Sequence, residues 1–171
     1  MTNPTLKTKR GLEMADVAAL TQCASASADA REVYAEVARI AAETVGWRLF
    51  TVLRYLEAEA AVERLYSSDE TAYPVGGRKP LDKITVSHGA MEKGEVFLAA
   101  TREEVRTAFF DHELIFSLGI GAILNVPIRY ASRRLGTLNL CGEEGMYGPA
   151  EIASAKILAA LMVPPLISSG N

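Results

Sequence analysis

Residues 122–141 read AILNVPIRYASRRLGTLNLC, and this stretch decides the fold. Ala122, Leu124, Val126, Ile128 and Tyr130 alternate with Ile123, Asn125, Pro127 and Arg129, the two-residue period of a β-strand. A turn over 131–134 then leads into a return strand over 135–141, which predicts an antiparallel hairpin. With a three-residue turn Asn125 and Asn139 lie opposite each other, on the face that also carries Ile123, Pro127, Thr137 and Cys141. A buried amide must find partners for its donors and its acceptor, so these two side chains either brace loop backbone or touch a ligand. Pro127 has no N–H to give a ladder, which places it at an edge-facing position or a bulge.

Working outward, a second hairpin precedes this one. Residues 47–56 (WRLFTVLRYL) and 62–68 are rich in aromatic and β-branched side chains and are joined by a short connection. Residues 69–94, punctuated by Pro74, Gly76, Gly77, Pro80, Gly89 and Gly94, hold at most a short helix near 85–93 and read as a lid or pocket wall. A short strand is expected over 95–99. Thr101 with Glu104 forms a capping box that opens a helix to about Phe110, and Asp111 caps its continuation to Leu118. Near the N-terminus, residues 13–26 form an Ala-rich helix with Met14, Val17, Leu20 and Thr21 at helical spacing. Asp29 and Glu32 then cap a second helix whose face of Val33, Val37, Ile40, Ala41 and Thr44 runs until Gly46. Pro149 opens a last helix that Pro164-Pro165 closes. Two hairpins flanking a helical excursion make an antiparallel sheet with helices packed on it, an α+β domain.

The chain has 171 residues, which predicts a flexible N-terminal tail over 1–11 and a single domain over 12–171. Hydrophobic residues at 49% and charged residues at 23% exclude a disordered or fibrous chain. Eighteen Lys and Arg against 21 Asp and Glu, with no basic stripe, point away from nucleic acid. The apolar stretch 157–167 is shorter than the ~20 residues a spanning helix needs, so no membrane partner is expected. Cys23 and Cys141 are too few for a disulfide framework, which fits a reducing, cytoplasmic setting. Asp111, His112 and Glu113 are adjacent on a helix and point about 100° apart, so no metal site is expected there.

The order of two leading helices, hairpin, long crossing segment, Ser117-Leu118-Gly119 helix end, ILNVPI strand, basic turn, LGTLN strand and terminal helix resembles a GAF domain. The resemblance covers residues 13–165. It implies a central antiparallel sheet of five or six strands, with the N- and C-terminal helices on one face and a loop and short-helix pocket on the other. It also implies a sensory or regulatory domain that binds a small molecule without catalysis, and it leaves the ligand and any cofactor unidentified. The Asn-Lys pair and Phe-x-x-x-Asp-Glu spacing of cyclic-nucleotide-binding members are missing around Phe109–Glu113, and no cysteine between Cys23 and Cys141 could hold a bilin. Two other readings stay open: an enzyme similar to free methionine-(R)-sulfoxide reductase, working through Cys141, and a ligand-free protein-interaction scaffold.

On this reading the ligand-binding residues are Tyr66, Tyr73, Lys79, His88, Phe97, Asn125 and Asn139, with no catalytic and no metal-binding residue. Gly76 and Gly77 either form an ordinary turn before solvated Arg78 and Lys79 or gather N–H groups into a small anion nest. Met14, Val17, Leu20, Ile157, Leu161 and Met162 surround more than one side of the terminal helices. The surplus apolar surface predicts a homodimer through those helices.

Overall fold

A computed structural model describes residues 9–83 and 85–168, the side chains of Thr85, Val86 and His88 excepted. Six antiparallel strands make one sheet in the order β3-β2-β1-β6-β5-β4. The central hairpin is β5 (Ala122–Tyr130) and β6 (Arg133–Gly142). Its turn is tighter than the sequence suggested, because Ala131 and Ser132 both adopt left-handed φ angles of 47° and 65° and close it in two residues. The residue thereby left over is absorbed as a bulge at Leu135, between the pairs Ile128 with Gly136 and Arg129 with Arg134. Asn125 therefore still faces Asn139.

The other hairpin is β1 (Leu49–Leu56) and β2 (Ala61–Ser67). Two three-residue strands complete the edges: β3 (Arg78–Pro80) pairs with β2, and β4 (Phe97–Ala99) pairs with β5. β4 ends opposite Asn125, so Pro127 lies where β5 has no neighbour on that side.

One face of the sheet is covered by helices. α2 (Ala30–Thr44) buries Val33, Tyr34, Val37, Ile40 and Ala41 against Phe50, Val52, Leu124, Leu138 and Leu140. Asp29 caps α2 by accepting from the Arg31 N–H at 2.8 Å, whereas Glu32 accepts from the Ser27 hydroxyl. α1 (Met14–Ala26) lies outside α2 and buries only Asp16 and Leu20. α6 (Pro149–Leu161) buries Ala155, Leu158 and Ala159, and α7 (Val163–Ser168) follows it directly. Pro164-Pro165 thus opens a new short helix rather than ending the structure, because first-turn residues need no N–H partner.

The stretch expected to be loose is tied down where it is described. Lys9 donates to Glu151 at 2.7 Å, and Arg10 forks onto Asp16 at 2.7 and 2.8 Å while also reaching Glu43. Residues 1–8 of the expected tail lie outside the described residues.

The opposite face carries a second apolar cluster under three short helices: α3 (Thr85–Glu92), α4 (Arg102–Ala108) and α5 (His112–Ser117). The expected capping box at α4 is present, with Thr101 accepting from the Glu104 N–H and Glu104 from the Thr101 N–H.

The close approach of β6 to β1 gives a direct test. A Cβ on Gly136 would sit 2.0 Å from the Leu53 carbonyl oxygen and 2.6 Å from Leu166 Cδ2. Backbone cannot retreat cheaply, so Gly136→Ala is expected to cost more than about 3 kcal/mol in urea unfolding. Gly145, with φ of +73° and nothing within 4 Å of its Cβ position, serves as control. Its Ala variant should lose only about 1–2 kcal/mol from left-handed strain.

Candidate functional site

Alternation along the sheet lays down three rows of side chains on the face away from α2. The first runs through Leu49, Cys141 and Ile123, which are paired in register. The second runs through Ser67, Thr51, Asn139 and Asn125, a polar row across four strands. In the third, Leu53 is paired with Arg64 on one side and Thr137 on the other. These rows floor a cavity of about 90 Å³, roofed by Tyr73, Lys79, Met91, Phe109, Asp111 and Ile115. At ~10–15 Å³ for each water-sized group, that is room for roughly six to nine such groups.

Four of the expected site residues meet at this cavity: Tyr73, Lys79, Asn125 and Asn139. Asn139 donates from Nδ2 to the Thr51 hydroxyl at 3.2 Å, so one amide braces a neighbouring strand rather than loop backbone. The Tyr73 hydroxyl donates to Asp111 Oδ2 at 3.2 Å. Burial, reinforced by that carboxylate, raises its pKa far above the ordinary phenol value. Lys79 Nζ binds the same oxygen at 3.1 Å and lies 5.0 Å from the Phe110 ring centroid. Lys79 is therefore turned into the site, while Arg78 pairs outside with Glu59 and Glu63. The anion nest does not form, since the Gly76 N–H donates to the Arg64 carbonyl at 2.8 Å and that of Gly77 to Pro74.

Phe97 is paired with Asn125 and shares its face, but it stands behind the wall, its ring 6.0 Å from that of Phe109. The side chain of His88 lies outside the described residues. Tyr66 is on the other face altogether, 5.9 Å from the Phe50 ring and 6.4 Å from that of Tyr34. Its placement from even alternation is corrected by a bulge. Val52 pairs with Tyr66 and Leu53 with Arg64, so Leu65 is extra and reverses the facing of everything after it.

The same strand carries to the cavity a residue that was not among the expected site residues. Arg64 is only 7% exposed, stacks 5.1 Å from the Tyr73 ring and donates from Nη1 to the Pro74 carbonyl at 3.0 Å. Its signal was a basic residue two positions from Val62, at an inward-facing position of the strand. Asp111 was expected as a helix cap, yet its carboxylate makes no cap bond to α5 and turns into the cavity. No sequence signal marked that choice. Three buried polar atoms on this cavity have no hydrogen-bond partner among the described residues: Arg64 Nε, Asp111 Oδ1 and Thr137 Oγ1. Desolvation pulls the Arg64 pKa below the usual arginine value, offset in part by Tyr73 and Asp111.

Cys141 is buried in the floor, and burial together with Asp111 pushes its thiol up to about 12. Such a thiol is a poor nucleophile at neutral pH. Cys23 is also a free thiol but sits on α1, on the helical side. Among the described residues no three His, Cys, Asp or Glu side chains gather as a metal site requires. No described helix is long and apolar enough to cross a membrane.

No family model matches the sequence, and no curated protein matches it. Solved structures do resemble it. The GAF domain from a phosphoenolpyruvate-protein phosphotransferase of Coxiella burnetii superposes with a TM-score of 0.75 at 16% identity, covering 91% of this chain and 93% of that one. The corresponding Acinetobacter GAF domain gives 0.73 at 13% identity, with 91% and 93% covered. The chromophore-binding domain of a bacteriophytochrome from R. palustris gives 0.66 at 12% identity, with 87% of this chain and 58% of that chain covered. The chain has the GAF fold.

Thr137 offers a test of the unpartnered atoms. Its hydroxyl is desolvated without a bond, so the near-isosteric Thr137→Val is expected to raise the unfolding free energy of the ligand-free protein by about 1 kcal/mol. A loss of similar size in the same urea titration would mean that the hydroxyl is hydrogen-bonded.

Proposed function

We propose that this chain is a sensory or regulatory GAF domain that binds a small molecule in the sheet-side cavity, without catalysis. The observation that carries the reading is the set of unpartnered polar atoms on Arg64, Asp111 and Thr137 around one apolar cavity. Groups in that state cost folding free energy, and a bound ligand would recover it. One structural neighbour is a chromophore-binding domain, which supports the use of this fold to hold a small molecule. Against the reductase reading stand the buried thiol of Cys141 and the position of Cys23 on the helical side. The two free thiols also support a cytoplasmic setting.

The ligand would report by ordering the roof. Lys79 on β3 and Asp111 before α5 are joined by one ion pair over the cavity, so a molecule held beside Asp111 would fix β3 against α5. Native mass spectrometry of the protein purified from its own cell tests the site. A bound small molecule is expected, and it should be lost in Ala108→Trp, which fills the cavity from the end of α4. A bound mass that survives this substitution would place the ligand elsewhere.

The outward surfaces of α1 and α6 would carry the signal to a second copy of the chain. Met14 is 80% and Ile157 47% exposed there, whereas Leu20 and Met162 are fully used within the protomer. Glutamate at Leu20 would therefore disrupt the protomer core and test nothing about assembly. Met14→Glu with Ile157→Glu is expected to convert a dimer burying roughly 1,200–2,000 Å² into a folded monomer in light scattering. Wild-type protein that is monomeric at micromolar concentration would contradict the assembly.

A further inference from the structure

Arg64 is a buried guanidinium on a cavity wall, and among the described residues no carboxylate forms an ion pair with it. The carboxylate of that cavity, Asp111, is held through Oδ2 by Lys79 and Tyr73. Arg64 lies against the face of the Tyr73 ring and Asp111 at its hydroxyl end, so the ring holds cation and carboxylate apart. Both retain an unpartnered atom, a donor at Arg64 Nε and an acceptor at Asp111 Oδ1. Among the described residues Lys79 and Lys83 add two more cations to the lining, giving three against one carboxylate. An anion is therefore the charge the cavity lacks.

The surroundings narrow the anion. A phosphate calls for several converging donors, but the nearby Gly76 and Gly77 N–H groups already donate to Arg64 and Pro74 carbonyls. A carboxylate needs only the edge of one guanidinium. The remaining floor around Leu49, Ile120 and Ile123 is apolar. From these contacts we infer that the cavity takes a small carboxylic acid with a short apolar side chain and an N–H or O–H donor beside the carboxylate, an α-amino or α-hydroxy acid. The carboxylate pairs with Arg64, the neighbouring donor reaches Asp111 Oδ1, and the side chain lies on the apolar floor. This inference rests on the cavity being the ligand site.

Four probes of one carbon skeleton separate the contributions by titration calorimetry: valine, 2-hydroxyisovalerate, isovalerate and isovaleramide. Valine or 2-hydroxyisovalerate is expected to bind, and whichever is tighter shows whether an ammonium or a hydroxyl meets Asp111. Isovalerate should bind roughly tenfold or more weakly for want of the donor, and isovaleramide roughly tenfold more weakly again for want of charge. Arg64→Met should abolish acid binding yet keep or raise thermal stability, since an apolar replacement removes a buried charge. Arg64→Lys should retain part of the binding. Isovaleramide binding as tightly as isovalerate, acids binding Arg64→Met with unchanged affinity, or no acid binding at about 10 mM would each overturn the carboxylate assignment. Isovalerate matching the better of valine and 2-hydroxyisovalerate would overturn the role of Asp111. An uncharged molecule found by native mass spectrometry and lost in Ala108→Trp would overturn this inference while leaving the cavity as the ligand site. Absence of any ligand in both experiments would remove both.

Discussion

Backbone pairing between β1 and β6 sets Thr51 opposite Asn139 and Val52 opposite Leu138, and the rest of the molecule depends on that register. It sends Phe50, Val52, Leu138 and Leu140 toward α2 and sends Leu49, Thr51, Leu53, Thr137 and Asn139 toward the cavity. A slip by one residue would exchange the two sets, placing an amide and two hydroxyls under the helices. The fully apolar helix side resists that exchange most strongly, because Phe50, Val52, Leu124, Leu138 and Leu140 are all essentially inaccessible to water. Gly136 protects the same register from beneath, since Leu53 and Leu166 occupy the space a side chain would need.

The helix side holds the fold, so the cavity side can afford polar groups that are incompletely satisfied. Thr51 and Asn139 complete one another across the strands, whereas Arg64, Asp111 and Thr137 each keep a buried atom without a partner. These atoms lower stability where they stand. Their convergence on one cavity is what supports reading it as the proposed ligand site rather than as scattered packing faults. β3 and the start of α5 meet over the cavity at Asp111 Oδ2, shared by Tyr73 and Lys79. Any molecule that binds beside Asp111 therefore acts on the contact between β3 and the start of α5.

Much of this was legible in the residues. Period-two alternation in 122–141 placed Asn125 opposite Asn139, and capping patterns located α2 and α4. What periodicity could not read were its own interruptions. The bulge at Leu65 carried Tyr66 to the helices and left Arg64 on the cavity, and an alternating string contains no mark of which residue will be extra. The bulge at Leu135 was harmless only because a tighter turn offset it. Asp111 had two competing uses, a helix cap that is local and a contact with Tyr73 and Lys79 that is 32 residues away or more in sequence, and the distant partners prevailed. The ion pairs of Lys9 and Arg10 were hidden for a similar reason: Glu151, Asp16 and Glu43 meet them only once the helices are assembled.

Arg64 is a sealed cation on the cavity wall, with no carboxylate ion-paired to it among the described residues. Its Nε–H can be followed directly in ¹H–¹⁵N spectra of protein purified without ligand, assigned by comparison with Arg64→Lys. The structure expects a resolved signal that exchanges slowly with water at neutral pH and shows contacts to the Tyr73 ring. A signal broadened by rapid exchange, like that of a surface arginine, or one shifted by pairing with Asp111 and lost in Asp111→Asn, would contradict it.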